Sequence, residues 1–155
     1  MGIVFHSGGI AKNIKDGTNY LQTEYWNTIQ VVEHIKKGDM VGFCTGSQGD
    51  YILKFREGYP NEQMDMIYPI SIRFAIIIDD ETLYIRDLFD LTDWGSYCDE
   101  KYKLHIENGI YHITLNTKIP SSGIYGDNQE IFVFLQKLDE MPKLTWKGVP
   151  QLYIE

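Results

Sequence analysis

The sequence predicts a mainly β protein, a single domain over 1–155. The expected architecture is a two-sheet antiparallel β-sandwich with one short helix. Three observations carry that expectation. Apolar residues recur at every second position in several segments, and turn-forming residues punctuate those segments. The chain has 155 residues, 43% of them hydrophobic, enough to bury a core without a disulfide or a metal.

Ile70, Ile72, Phe74 and Ile76 share one face, with Ser71 and Arg73 on the other, the pattern of a half-buried strand. Tyr51, Leu53 and Phe55 alternate with Lys54 and Arg56 in the same way, and Met40 to Cys44 reads as a short strand. The connection Thr45-Gly46-Ser47-Gln48-Gly49-Asp50 predicts a hairpin between those two. Ile131 to Leu135 is apolar on both faces, which places it centrally in a sheet. Leu144 to Trp146 and Gln151 to Ile154 read as edge strands around Pro150. Asn108-Gly109 is a favoured type I′ pair, so a second hairpin is expected around it. Its register sets Ile106 opposite Tyr111, Leu104 opposite Ile113 and Tyr102 opposite Leu115 on one face, with His105 beside His112 on the other. After Asn27, the spacing of Ile29, Val32 and Ile35, with Lys36, Lys37 and Gly38 at the end, predicts the helix over 27–37. The β-branched content and the Ile29, Val31 alternation also fit a strand.

Composition excludes several functions. Twenty-two acids against fourteen bases give a net charge of −8, opposite to what direct binding of nucleic acid or an anionic membrane requires. The run Phe74 to Ile78 is far too short to span a bilayer. The N-terminal residues lack the basic leader and long apolar run of a signal peptide. Cys44 and Cys98 stand alone in apolar surroundings and read as reduced thiols, so a cytoplasmic location is expected. Neither Gly-x-Ser-x-Gly nor a phosphate loop is present. No histidine pair has helical zinc spacing, and the expected cofactor and metal content is none.

Charge is concentrated rather than spread. Residues 79–100 hold Asp79, Asp80, Glu81, Asp87, Asp90, Asp93, Asp99 and Glu100 against Arg86 alone, a net of −7. The first three acids read as a tight turn. The others are interleaved with Leu88, Phe89, Leu91, Trp94 and Tyr97. A solvated loop is the plain reading. Calcium fits poorly, since Asp87, Asp90 and Asp93 do not follow the 1, 3, 5 spacing of an EF-hand. Carboxylates that steer, together with rings that anchor, make a recognition surface for a basic protein. The candidate partner-binding residues are Asp87, Asp90, Asp93, Trp94, Tyr97, Asp99 and Glu100.

Taken in order, the landmarks resemble those of the bacterial competence nuclease-inhibitor family. They are Phe5-His6 at the end of an early strand, then Trp26 followed by Val32-Glu33-His34-Ile35-Lys36-Lys37-Gly38. The strand pair Met40–Cys44 and Tyr51–Arg56 follows, then Ile70–Ile78 with Leu83-Tyr84-Ile85-Arg86 as hairpin partner, and Gly109-Ile110-Tyr111 opening a last strand. The chain is longer than that family, and Lys143 to Glu155 has no counterpart in it. The resemblance implies a toxin-immunity or nuclease-inhibitor role rather than an enzyme, with a basic protein toxin, foremost a nuclease, as partner. No inhibitory residue of the family carries over to a position here. The alternatives are a small β-sandwich ligand-binding domain and a hydrolase using paired carboxylates such as Asp90 and Asp93.

Overall fold

The computed structural model describes residues 1–154. In chain order it contains β1 (Gly2–His6), α1 (Gly8–Ala11), α2 (Tyr20–Glu24), α3 (Thr28–Lys37), β2 (Met40–Cys44), β3 (Tyr51–Glu57), α4 (Glu62–Ile67), β4 (Ile70–Ile78), β5 (Thr82–Asp87), β6 (Lys103–His105), β7 (Gly109–Thr117) and β8 (Gln129–Leu138). Two four-stranded sheets form, in the orders β2-β1-β5-β6 and β3-β8-β7-β4. Phe5 and Phe43 of the first sheet meet Phe74 of the second, with ring centroids 6.2 and 6.4 Å apart, so the sheets face each other over one continuous core. The protein is mainly β with a sandwich-like arrangement. The second sheet is mixed, because β3 runs parallel to β8 while the other pairs are antiparallel.

Several elements form where their residues dictate. The Asn27 side chain accepts from the Gln30 amide at 2.9 Å, and the Gln30 side chain accepts in return from the Asn27 amide. This reciprocal cap starts α3, and Gly38, in the left-handed region at φ 66°, ends it. The expected helix is thus a helix and not a strand. Three more helices of four to six residues flank it, capped by Ser7, Asn19 and Asn61. They are too short to show a periodicity in sequence. β8 lies between β3 and β7, the central place expected for Ile131 to Leu135.

Strand partnership departs from the local reading in four places. Residues 45–50 do not close a hairpin; they carry the chain from the first sheet, at β2, to the second, where β3 pairs with β8. The turn after Ile78 likewise passes from β4 in one sheet to β5 in the other. Nor does Asn108-Gly109 close a hairpin. β6 pairs with Thr82–Tyr84, and β7 pairs with β4 along nine residues, Ile70↔Thr117 to Ile78↔Gly109. A long apolar strand offers β7 a longer ladder than three residues of β6 can. The Asn108 carboxamide oxygen accepts from the Glu81 amide at 2.6 Å and braces the crossing. His105 and His112 therefore stand on different sheets; His112 meets the Tyr59 hydroxyl at 2.8 Å and His105 meets Glu100. Finally, residues 144–154 form no strand. Only Gln151 makes a bridge, to Cys44.

That C-terminal stretch closes one side of the sandwich. The Trp146 indole donates to the Arg73 carbonyl at β4, and the Cys44 amide at β2 donates to the Pro150 carbonyl, both at 2.9 Å. α3 lies against the same two strands. The opposite side, with β6 and β3, has no such strap.

Beneath residues 88–102 sits a buried polar cluster. His6, with no exposed surface, donates through Nδ1 to the Ser7 carbonyl at 2.7 Å and accepts at Nε2 from Arg86 Nε at 2.9 Å. Accepting at Nε2 needs the neutral ring, with its proton on Nδ1. Burial lowers its pKa from 6.5 to about 4, with the Arg86 charge acting in the same direction against the opposing pull of Ser7 and Asp80. A depressed histidine contributes stability above its unfolded pKa and loses it as pH falls towards the folded value. We expect unfolding free energy from urea titrations to fall by about 2 kcal/mol between pH 7.5 and 5, before most carboxylates titrate. In His6→Gln that slope should largely vanish. An unchanged slope in the variant would contradict the assignment.

Candidate functional site

The acidic segment is built around what it buries. β5 ends at Asp87, whose carboxylate accepts from the Phe89 amide at 2.9 Å and so starts a 3₁₀ turn, Leu88–Thr92. Leu91, Trp94 and Cys98 then point inward, all buried. The Asp16 carboxylate holds Ser96 by its amide, at 2.9 Å, and by its hydroxyl, at 3.1 Å. Asp99 accepts from the Lys101 amide at 3.2 Å and opens a second 3₁₀ turn, Glu100–Tyr102.

Trp94 is therefore not a surface anchor. It is 1% exposed, packed against His6 and Tyr20, with the Arg86 guanidinium 4.1 Å from its ring centroid. A cation over an indole face is attracted by the ring quadrupole, more strongly where water is excluded. The Trp94 amide also donates to the Thr18 carbonyl at 2.9 Å, and its carbonyl accepts from the Gly17 amide at 2.7 Å. Trp94 pins the segment from inside. Tyr97, by contrast, is 80% exposed.

The carboxylates do not form one patch. Asp79 accepts from the Gly9 amide at 3.0 Å, and Asp80 accepts from the Tyr84 hydroxyl at 2.7 Å. Asp80 lies so close to Gly8 that a Cβ there would stand 2.0 Å from Oδ2. These acids belong to the start of α1, at the end of β5 away from Asp87, about 17 Å along the strand. Glu100 is engaged by His105 and, at 3.6 Å, by Lys103; the His105 hydrogen bond holds its carboxyl below the usual range. Among the described residues, Asp87, Asp90, Asp93 and Asp99 have no basic partner within ion-pair distance.

Asp87 and Asp90 share one wall of a cleft of about 660 Å³. Ile3 and Ile85 line it from the first sheet, and Leu53 and Phe55 from β3 across the gap, with Asp50 at its rim. Lys101, Tyr102 and Arg86 also reach it. A smaller hollow of about 270 Å³ continues it past Asp87 to Phe89 and shares Ile3, Gly49 and Tyr51. The ladder between β5 and β6 ends at Tyr84 and Lys103, so Ile85–Asp87 have no strand partner on that side, and the turn carrying Lys101 and Tyr102 borders the cleft there. Phe89 is 53% exposed and Tyr102 49%. Asp93, Tyr97, Asp99 and Glu100 do not line the cleft. Asp50, Tyr51, Leu53, Phe55, Phe89 and Tyr102, absent from the sequence-predicted set, do line it or its continuation. Chemically the arrangement is an apolar floor, an aromatic rim and three carboxylates without ion-pair partners. It suits a protein chain bearing cations better than a small anion.

No protein-family model matches the sequence, and no curated protein is detectably similar to it. Among solved structures the chain is similar to the crystal structure of ComJ, inhibitor of the DNA degrading activity of NucA, from Bacillus subtilis. The TM-score is 0.50 at 12% identity, over 88% of each chain. At that identity the likeness is one of fold. Among the described residues, no helix is long and apolar enough to cross a membrane.

Replacing the buried ring should weaken the segment, whereas trimming an exposed one should not. We expect Trp94→Ala to lose about 3–5 kcal/mol in urea unfolding and Tyr97→Ala to stay within about 0.5 kcal/mol of the parent. Equal effects would contradict the inward placement of Trp94.

Proposed function

We propose that this chain is a protein inhibitor of a DNA-degrading nuclease, acting by binding a basic surface of that enzyme as an immunity protein does. The carrying observation is the cleft wall, where Asp87 and Asp90 stand without ion-pair partners beside Phe89 and Tyr102, on a fold shared with a nuclease inhibitor. The sequence resemblance drawn from Phe5-His6, Trp26 and the strand order supports the same reading. In it, Asp87 and Asp90 make the first contacts, while Asp93, Tyr97 and Asp99 extend the surface along the same segment. Glu100, already engaged by His105, contributes least, and Trp94 acts only by holding the segment in place. The protein is no enzyme in this reading. Its two free thiols, Cys44 and Cys98, suit the cytoplasm.

Unpaired carboxylates on a rim act chiefly through long-range attraction, so their removal should slow association more than it speeds dissociation. The test uses the DNA-degrading nucleases encoded in the same genome, purified one by one and mixed with equimolar protein. We expect digestion of linear duplex DNA by one of them to stop. For that pair, Asp87→Asn/Asp90→Asn should lower the association rate about tenfold at low salt and flatten its salt dependence. Undiminished digestion by every nuclease overturns the inhibitor reading; an unchanged association rate overturns the site.

A further inference from the structure

β3 is the last strand of its sheet, and among the described residues no strand pairs with its outer edge. In a strand the N–H and C=O of one residue point to the same side, and successive residues alternate. Toward β8, Asp50 donates to the Gly126 carbonyl and accepts from the Gln129 amide, and Gly58 donates to the Leu135 carbonyl. The even-numbered residues therefore serve the ladder. Tyr51, Leu53, Phe55 and Glu57 direct their backbone groups outward. The Arg56 guanidinium donating to the Phe55 carbonyl at 2.8 Å fits that direction.

Free edges invite pairing, and proteins ordinarily blunt them with proline, a bulge or a covering segment. Over its seven residues β3 has none of these, and its charges Lys54 and Arg56 alternate with Leu53 and Phe55 onto the face away from the cleft, whereas the opposite side of the sandwich is strapped at both sheets. The side chains of Leu53 and Phe55, half-buried, face the cleft whose far wall carries Asp87 and Asp90. Of the cations at the cleft, Arg86 is held over Trp94 and Lys101 lies 5.0 Å from the Tyr102 ring centroid.

We infer that β3 accepts an added strand from a basic protein partner, with lysine or arginine at alternate positions of that strand entering the cleft. This deepens the inhibitor reading and rests on it for the identity of the partner. Main-chain hydrogen bonds supply the pairing, and alternate side chains select it. A strand laid along β3 sends every second side chain to the same side as Leu53 and Phe55, toward Asp50, Asp87 and Asp90. Cations at those positions would meet carboxylates that lack ion-pair partners; anions would be repelled. The Arg56 side chain must release the Phe55 carbonyl as the strand arrives.

The probe is a blocked heptapeptide, Thr-Lys-Val-Lys-Val-Lys-Thr, with Thr-Glu-Val-Glu-Val-Glu-Thr as control, titrated into ¹⁵N-labelled full-length protein. We expect the lysine peptide to shift the Leu53 and Phe55 amide resonances saturably and to slow their hydrogen exchange by about tenfold. Asp87→Asn/Asp90→Asn should weaken that binding about fivefold or more, and the glutamate peptide should leave β3 unmoved. Unmoved β3 amides with the lysine peptide, or equal binding of both peptides, overturn strand addition. No nuclease enters this titration. Inhibition of a nuclease without peptide pairing therefore sinks strand addition alone, and peptide pairing without inhibition sinks the inhibitor reading alone.

Discussion

The open side of the sandwich follows from the length of one strand. β6 contributes three residues, Lys103–His105, and leaves Ile85–Asp87 without a strand partner on that edge. Everything distinctive about the site descends from that gap. The segment leaving β5 must fold back over its own sheet instead of continuing a ladder, and β3 across the gap must end its sheet unpaired. On the far side, α3 and the residues around Trp146 and Pro150 occupy the equivalent space. The asymmetry leaves Leu53 and Phe55 of the second sheet only half-buried along the cleft, which the buried Ile85 of the first sheet also lines.

An irregular segment of this length stays in one place only if its backbone groups and apolar side chains are satisfied locally. Here two aspartates, Asp87 and Asp99, each start a 3₁₀ turn by accepting an amide, and Asp16 holds Ser96 between them. Leu91, Trp94 and Cys98 supply the buried side. Some of the acidity is therefore structural. The carboxylates that cap turns can also present charge, since capping leaves lone pairs free, and Asp87 does both. The buried Arg86, stacked on Trp94 and bonded to neutral His6, gives the segment a rigid floor and ties it to β1.

How much of this was legible depended on whether the physics was local. α3 could be read because its start and stop are written in adjacent residues, Asn27 with Gln30 and then Gly38. β4 and β8 could be read from their own apolar patterns. Strand partnership could not. Asn108-Gly109 has the chemistry of a tight hairpin, yet β7 finds nine residues of β4, and that long-range gain overrides the turn. The same holds for β3, whose parallel partner lies far along the chain. Acidic neighbours make Trp94 read as a surface ring, whereas the spacing of Leu91, Trp94 and Cys98 marks an inward stripe. The cleft itself was invisible in sequence, because it is made by a strand that is not there. Asp87 and Asp90 were found from charge alone; Asp50, Leu53 and Phe55 required the other wall.

In the proposed complex the carboxylates around the cleft touch cations of a partner protein. Carbodiimide cross-linking of the chain with a nuclease whose digestion it blocks in the equimolar assay, followed by peptide mass spectrometry, reads those contacts directly, because amide bonds form only between carboxylates and amines already in contact. Cross-links are expected from Asp50, Asp87 or Asp90 to lysines of the nuclease. Cross-links confined to acids remote from the cleft, such as Glu33 on α3, would contradict that contact.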